Sequence, residues 1–163
     1  MKKLIVILAL GAGVSWSGLS HAATATGTLT VQATVSDACS LADGALAFGA
    51  VDPNSGVAVA VTANIEVTCT LGAAFAVGLG DGQNLASGSR RMRRGATTDY
   101  LKYDLYRDFT LTSRFGDTGV SDRVAGTGTG VSSTPVVVYG TMPSSQAGAS
   151  GSYADSVQIT VYY

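Results

Sequence analysis

The sequence contains almost none of the residues on which most enzyme active sites depend. Among its 163 residues, His21 is the one histidine and Trp16 the one tryptophan, and both lie in the first 22 positions. Charged residues make up 13% of the chain, with three prolines and two cysteines. A nucleophile is usually activated by a group that titrates near neutrality, most often histidine. The sequence therefore predicts a protein that is not an enzyme.

Other ligand-binding motifs are incomplete as well. The glycine-rich stretch at residues 126–130 lacks the lysine that follows in a phosphate-binding loop, which argues against nucleotide binding. No histidine, cysteine or acidic residues recur at the spacing of a metal site. We expect neither a cofactor nor a metal.

The first 22 residues have the pattern of a secretory signal peptide. Lys2 and Lys3 precede an apolar run at residues 4–14, and small residues end at Ala22, where signal peptidase would cleave. The apolar run is shorter than the ~20 residues that span a bilayer, so we interpret it as a removable signal. The sequence thus predicts an exported protein that begins at Ala23.

Charge offers one unusual feature in the exported part. Beyond Ala22, eight basic residues face eleven acidic ones, and this balance gives no indication of a nucleic-acid partner. Four arginines nevertheless fall within five positions: Arg90, Arg91, Arg93 and Arg94. They fit either an exposed strand rim or a contact to an acidic neighbouring subunit or an anionic surface.

Two cysteines remain in a chain that is addressed to an oxidising compartment. Cys39 and Cys69 are therefore predicted to form one structural disulfide. A reactive or metal-binding thiol pair would need histidine or clustered acidic partners, which the exported sequence does not supply.

The exported part opens with an uninterrupted alternation of small or apolar residues with polar ones. In residues 23–36, which we call the leader, every odd position is Ala, Gly, Leu or Val, and every even position is Thr, Gln or Ser. A period of two predicts an amphipathic β-strand. Its apolar face consists of Leu29, Val31, Ala33 and Val35, with Ala25 and Gly27 toward the free end.

Similar alternation recurs along the chain and predicts an all-β fold. Short apolar patterns separated by turn residues indicate an immunoglobulin-like antiparallel β-sandwich in one domain. The predicted strands are a short one at Leu46, Phe48 and Val51, then residues 57–69, 73–79, 100–107, a further strand at Phe109, Leu111 and Phe115, then 136–142 and 153–163.

Several segments together resemble the spore coat protein U domain family, which includes subunits of archaic chaperone–usher pili. The segments are Ala38-Cys39 after the leader, Val67-Thr68-Cys69, Tyr103-Asp104-Leu105-Tyr106-Arg107-Asp108, Val138-Tyr139-Gly140, and Gly151-Ser152-Tyr153-Ala154-Asp155-Ser156-Val157 with the final Tyr162-Tyr163. Each motif is weak alone, but their order along the chain is specific.

The resemblance implies an incomplete sandwich that a neighbouring molecule completes. Residues 37–163 would be the pilin domain, with a groove walled by Val157, Ile159 and Val161. A periplasmic chaperone would fill the groove first. At the outer-membrane usher, the leader of the next subunit would replace it by donor-strand complementation, giving a head-to-tail surface pilus for adhesion and biofilm formation. The alternative is a secreted spore or cell coat protein, or a self-contained ligand-binding sandwich.

Overall fold

A computed structural model describes residues 22–52 and 54–163. The predicted signal peptide lies outside the described residues except for Ala22. The chain divides into two units, residues 1–34 and residues 35–163. Each unit is described by itself below.

The described part of the first unit contains no assigned strand. Every residue from 22 to 34 is exposed, including Leu29 at 86% and Val31 at 82%. A β-strand needs a hydrogen-bonded neighbour to satisfy its backbone, and no neighbour is assigned to this segment. Its role as a donor strand therefore stays a prediction.

The described residues of the second unit form an antiparallel β-sandwich of nine strands, which confirms the predicted fold class. The strands are β1 Cys39–Leu41, β2 Val59–Cys69, β3 Ala74–Leu79, β4 Arg90–Arg94, β5 Tyr100–Tyr106, β6 Val124–Thr127, β7 Thr134–Met142, β8 Tyr153–Ala154 and β9 Ile159–Tyr162. One sheet has the order β1-β2-β7-β5-β4-β8 and the other has the order β6-β3-β9. The described residues also contain a short 3-10 helix at Val120–Asp122. None of them belongs to a helix that is long and apolar enough to cross a membrane.

The core lies between the two sheets, where the alternating apolar residues meet. Alternate side chains of β2, β3, β5 and β7 are buried, as their period of two predicted. Burying these aliphatic and aromatic side chains is the main favourable term in the fold. The most buried members are Ile65, Val67, Cys69, Ala73, Phe75, Val77, Leu79, Leu101, Tyr103, Leu105, Phe115, Val136, Val138 and Met142.

A disulfide joins Cys39 in β1 to Cys69 in β2. The two residues are directly opposite each other in the antiparallel register, with Cα atoms 4.1 Å apart. This pairing agrees with the prediction from the two cysteines. The Ala38 amide donates a hydrogen bond to the hydroxyl oxygen of Thr70, the residue that follows Cys69. The bridge therefore fixes the point at which the leader joins the domain.

The predicted strand at residues 153–163 is wrong as a single element. It is divided between the sheets, because Tyr153–Ala154 pairs with β4 and Ile159–Tyr162 pairs with β3. Its alternation continues through the break, and Val157, Ile159 and Val161 all pack against the core while half-buried. The end of the chain thus crosses from one sheet to the other.

The strand predicted at Phe109, Leu111 and Phe115 is also wrong. Phe109 is 77% exposed, and Leu111 has a φ of 57°, which no β-strand adopts. The Asp108 carboxylate organises a tight turn here, accepting hydrogen bonds from the hydroxyl of Thr110 and the amides of residues 112 and 113. These bonds, led by that from Thr110, hold the pKa of Asp108 well below its usual range.

Candidate functional site

The last strand leaves one of its edges without a partner. In β9, Ile159 pairs with Leu79 and Val161 with Val77, and the Gly80 amide extends the ladder by donating to the Gln158 carbonyl at 2.9 Å. All of these contacts are with β3. Along the other edge of β9, no strand of the described part of the chain is paired. Such an edge presents unpaired amides and carbonyls that can accept an additional strand.

An open groove of about 1060 Å³ runs beside this edge. Its lining includes Val157 and Ile159, a wall at residues 44–51, and residues 148–155. Its floor is the apolar interior of the sandwich: Ile65, Leu79, Met92, Leu101, Tyr103, Leu105, Val138 and Met142. An apolar groove beside an unpaired strand edge fits an extended segment with alternating apolar residues.

The wall at residues 44–51 is held by side-chain packing, since no strand is assigned to it. The short strand predicted there is therefore wrong, although Leu46 and Phe48 are half-buried as their pattern indicated. Gly140 makes room for them, because a Cβ atom there would lie 2.9 Å from Leu46 Cδ2 and 3.3 Å from Phe48 Cζ. Phe48 also meets Tyr103 edge to face, with ring centroids 6.1 Å apart.

Two of the three predicted acceptor residues line the groove, and the third does not. Val157 and Ile159 belong to its lining. Val161 is half-buried against the core and opposite Val77, but lies outside the lining. The groove therefore follows the first part of β9 and the residues before it.

Two polar residues of the groove lining, Tyr103 and Asp155, are hydrogen-bonded to each other. Tyr103 donates its hydroxyl to Asp155 Oδ2 at 2.6 Å, while Asp155 Oδ1 accepts from the Gln83 amide at 3.0 Å and Asn84 Nδ2 at 3.1 Å. Burial, together with the bond to Asp155, raises the pKa of Tyr103 far above its ordinary value. The Tyr103 hydroxyl therefore stays protonated near neutral pH and acts as a structural donor to Asp155.

Arg90 is buried, so its prediction as a surface contact is wrong. The side chain is 0% exposed, and its guanidinium donates to the carbonyls of Leu79 at 3.1 Å, Gly80 at 2.7 Å and Phe115 at 2.8 Å. It also bonds Asp104 Oδ1 at 2.7 Å. Burial lowers the pKa of Arg90, against the opposing effect of Asp104. Arg90 thus fastens the end of β3, the partner of β9, to the larger sheet.

The other three arginines of the cluster are at the surface in different settings. Arg94 forms an ion pair with Asp99. Arg93 Nε donates to the Thr97 carbonyl at 2.6 Å, within its own hairpin. Arg91 Nε donates to the Asn84 carbonyl at 2.8 Å, and its guanidinium lies 4.2 Å from the centre of the Tyr100 ring. Their proposed role in a subunit or surface contact stays a prediction.

Asp117, Arg123 and Tyr162 form a group of polar contacts on the outer face of β9, which we call the polar clamp. The sequence analysis did not predict it. Tyr162 donates its hydroxyl to Asp117 Oδ2 at 2.9 Å, and the Arg123 guanidinium lies 3.6 Å from the centre of the same ring. Arg123 Nε also bonds Asp117 Oδ1 at 2.7 Å. Gly78 allows this approach, since a Cβ atom there would lie 2.3 Å from Asp117 Oδ1. The clamp fixes β9 on β3 while the other edge stays open.

Acidic residues of the described chain do not gather into a metal site. No group of three or more His, Cys, Asp or Glu side chains in residues 22–52 and 54–163 could hold a metal ion.

Known proteins with similar sequence or fold extend this description. Protein U of Myxococcus xanthus is 41% identical in an alignment of 160 positions that covers 88% of each chain. A similar fold occurs in the crystal structure of the CsuC-CsuE chaperone-tip adhesion subunit pre-assembly complex from archaic chaperone-usher Csu pili of Acinetobacter baumannii, with a TM-score of 0.59 at 20% identity. That match covers 80% of this chain but 41% of the other, so the present chain spans about two fifths of its length. Residues 25–160 match the Spore Coat Protein U domain, and the chain belongs to that family.

Proposed function

We propose that this protein is a structural subunit of a surface pilus, assembled by the chaperone–usher pathway through donor-strand complementation. The observation that carries the proposal is the apolar groove beside the unpaired edge of β9. The opening leaves apolar side chains at its rim, such as Met92, Val157 and Ile159, only partly buried, which favours an added strand. The pilus would support adhesion and biofilm formation after export through the periplasm.

The leader supplies a strand with the right pattern for this groove. Leu29, Val31 and Val35 are each more than 80% exposed in the isolated chain. Burial of an aliphatic side chain contributes about 1.5 to 3 kcal/mol, so these three together contribute about 4.5 to 9 kcal/mol before the cost of association. Ala33 completes the apolar face, and new backbone hydrogen bonds to β9 add to the junction.

The alternation also sets the register of insertion. A shift by one residue would place Thr30, Gln32 and Thr34 in the apolar groove and return Leu29 and Val31 to water. Each leader would enter the groove of the next copy, and a contact between two different surfaces that does not close on itself produces a filament. Neighbouring pilin subunits are therefore the main partners in this proposal.

A chaperone and an usher are the further partners that the proposal requires. An empty groove beside an open strand edge is prone to non-specific pairing, so a subunit in transit needs a temporary occupant. The fold likeness to a chaperone–subunit complex supports this part of the proposal. The usher would be the site at which the leader of the next subunit displaces the chaperone.

A second candidate is a secreted coat protein. It is favoured by the description of the family, which names a spore coat protein. In this case the subunit would be stable alone, with its groove filled by its own leader. Hydrogen exchange on the purified monomer separates the candidates, because a protected leader in a monomeric protein would support the coat protein.

Substitutions in the leader test the pilus proposal directly. We expect Leu29→Asp or Val31→Asp to block polymerisation of the purified subunit, because a carboxylate would be buried in the apolar groove. Thr30→Asp is the matched control, since it places the same charge on the opposite face and is expected to assemble. Deletion of residues 23–35 should leave a folded, chaperone-bound subunit that does not form fibres. Fibres seen by electron microscopy after that deletion would contradict the proposal.

A further inference from the structure

Three cations near one end of the larger sheet have no acidic partner in the described chain. The ion pairs among the described residues use Arg90, Arg94, Arg114 and Arg123. Arg91, Arg93 and Lys102 form none of these pairs. Their charges are therefore available to a group from outside the domain.

The register of β4 and β5 places these cations on one surface. Arg91 is directly opposite Lys102, and Arg93 is opposite Tyr100. The residues between them, such as Met92 and Leu101, pack toward the core. Since side chains alternate between faces, Arg91, Arg93 and Lys102 all lie on the outer face of the sheet. We call these three residues the basic patch.

The basic patch borders a shallow depression of about 410 Å³. Arg91, Tyr100 and Lys102 line one side of it, and residues 143–147 line the other. Gln146 holds the second side in place by accepting from the Lys102 amide at 2.6 Å and donating to the Lys102 carbonyl at 3.0 Å. A projecting carboxylate could enter this depression and contact Arg91 and Lys102, the two cations in its lining.

Acidic residues without ion-pair partners occur at the opposite end of the same sheet. Glu66 in β2 lies between the buried Ile65 and Val67, so it faces outward. Asp43 is exposed and follows Ala42, whose amide donates to the Glu66 carbonyl at 3.2 Å, so the two acidic residues are close together. Neither carboxylate forms an ion pair with a described residue. We call Asp43 and Glu66 the acidic patch.

The two patches are too far apart to neutralise each other within one molecule. Glu66 in β2 and Lys102 in β5 are two strand spacings apart, or about 10 Å at the usual separation. They are also offset along the strands, because Glu66 is opposite Pro135 of β7 while Asp104 is opposite Thr141, about 20 Å further along the same strand. Exposed charges are largely screened beyond about 8 Å at physiological ionic strength. The acidic patch of one molecule could however reach the basic patch of another.

We propose that the acidic patch of one copy of this chain docks on the basic patch of a second copy. The chain itself carries the complementary charges, since two neighbouring carboxylates match the two cations that line the depression, and a second copy is therefore the occupant that we assign. The contact is separate from the leader and the groove, since neither patch includes residues of either. Because the two surfaces differ, the contact is head-to-tail and can extend along a row of molecules.

Self-association of the mature chain tests this contact. A background carrying Leu29→Asp removes the apolar donor face, so that exchange through the leader does not contribute. In this background, sedimentation velocity at low salt should show association that 0.5 M NaCl abolishes. Arg91→Gln with Lys102→Gln should weaken it about tenfold, the combined effect of a few exposed ion pairs. Ala125→Glu with Thr127→Glu is the matched control, since it changes net charge equally on exposed positions of the other sheet.

Charge reversal provides the decisive comparison. Arg91→Glu with Lys102→Glu, and separately Asp43→Lys with Glu66→Lys, should each abolish self-association, while a mixture of the two variants should associate again. The proposal would be overturned if the mixture did not associate. It would also be overturned if the Leu29→Asp chain with both patches intact did not associate at low salt. Binding of polygalacturonate by a chain that stays monomeric would also overturn it, in favour of an anionic polymer as the occupant. Circular dichroism spectra and melting curves verify that each variant is folded.

Discussion

Replacement of Arg90 by methionine should destabilise the domain far more than the same change at its neighbour Arg91. Arg90 is fully buried and donates to three backbone carbonyls as well as to Asp104. Methionine fills much of the same space but donates no hydrogen bond, so the carbonyls of Leu79, Gly80 and Phe115 lose their charged donor. Leaving such groups unsatisfied or breaking a buried pair costs about 3 to 5 kcal/mol.

Urea unfolding at neutral pH with the disulfide intact measures this effect. With a slope of about 2 kcal/mol per molar urea, the midpoint for Arg90→Met should fall by about 2 M. Arg90→Lys should fall between the wild type and Arg90→Met, since an ammonium group cannot match the planar array of donors. Both variants should also show faster hydrogen exchange in β9, because Leu79 is its pairing partner.

Arg91→Met serves as the control for the loss of a positive charge in the same strand. Arg91 is at the surface and forms no ion pair in the described chain, so its replacement should change the free energy of unfolding by less than about 1 kcal/mol. Equal midpoint shifts for Arg90→Met and Arg91→Met would refute the idea that the buried guanidinium joins the two sheets.

Three further perturbations test the fold around the site. Replacing Cys39 and Cys69 by serine should lower the free energy of unfolding by about 3 to 4 kcal/mol, measured in urea, because the bridge closes a loop with a separation of 30 residues. Gly128→Ala should lower the melting temperature strongly, since its Cβ would lie 2.2 Å from the Thr70 carbonyl oxygen. Asp108 has a lowered folded pKa, so its stabilising effect should be complete above pH ~4 and decrease as pH falls further; Asp108→Asn should remove this part of the acid dependence.

The regular strands could be predicted because their burial follows a simple period. In β2, β3 and β5 the larger apolar residues alternate with polar or small ones over six or more positions, and the larger apolar residues are the more buried set. The strand predicted around Phe109 had a similar spacing. There the Asp108 side chain supplies hydrogen-bond acceptors to the following amides, and this local turn prevails over strand formation.

The candidate site could be predicted only in part, because its geometry depends on distant segments. The pattern of Val157 and Ile159 indicated an apolar face, but the change of sheet between β8 and β9 has no local sequence signal. The burial of Arg90 was likewise missed, since charged residues are rarely buried. Its carbonyl partners come from the end of β3 and from Phe115, which only the folded chain brings together.

The position of the disulfide determines how the domain would respond to mechanical force. A pull on the residues before Cys39 reaches β1, which has three register pairs with β2 and would separate easily on its own. The bridge between Cys39 and Cys69 passes the load directly to β2, which has nine register pairs with β7 in the middle of the larger sheet. Rupture then requires the shearing of a long central strand or the breaking of a covalent bond. A chain of such domains linked through their leaders would therefore resist tension at the centre of each fold, and its reduced form would yield at much lower force.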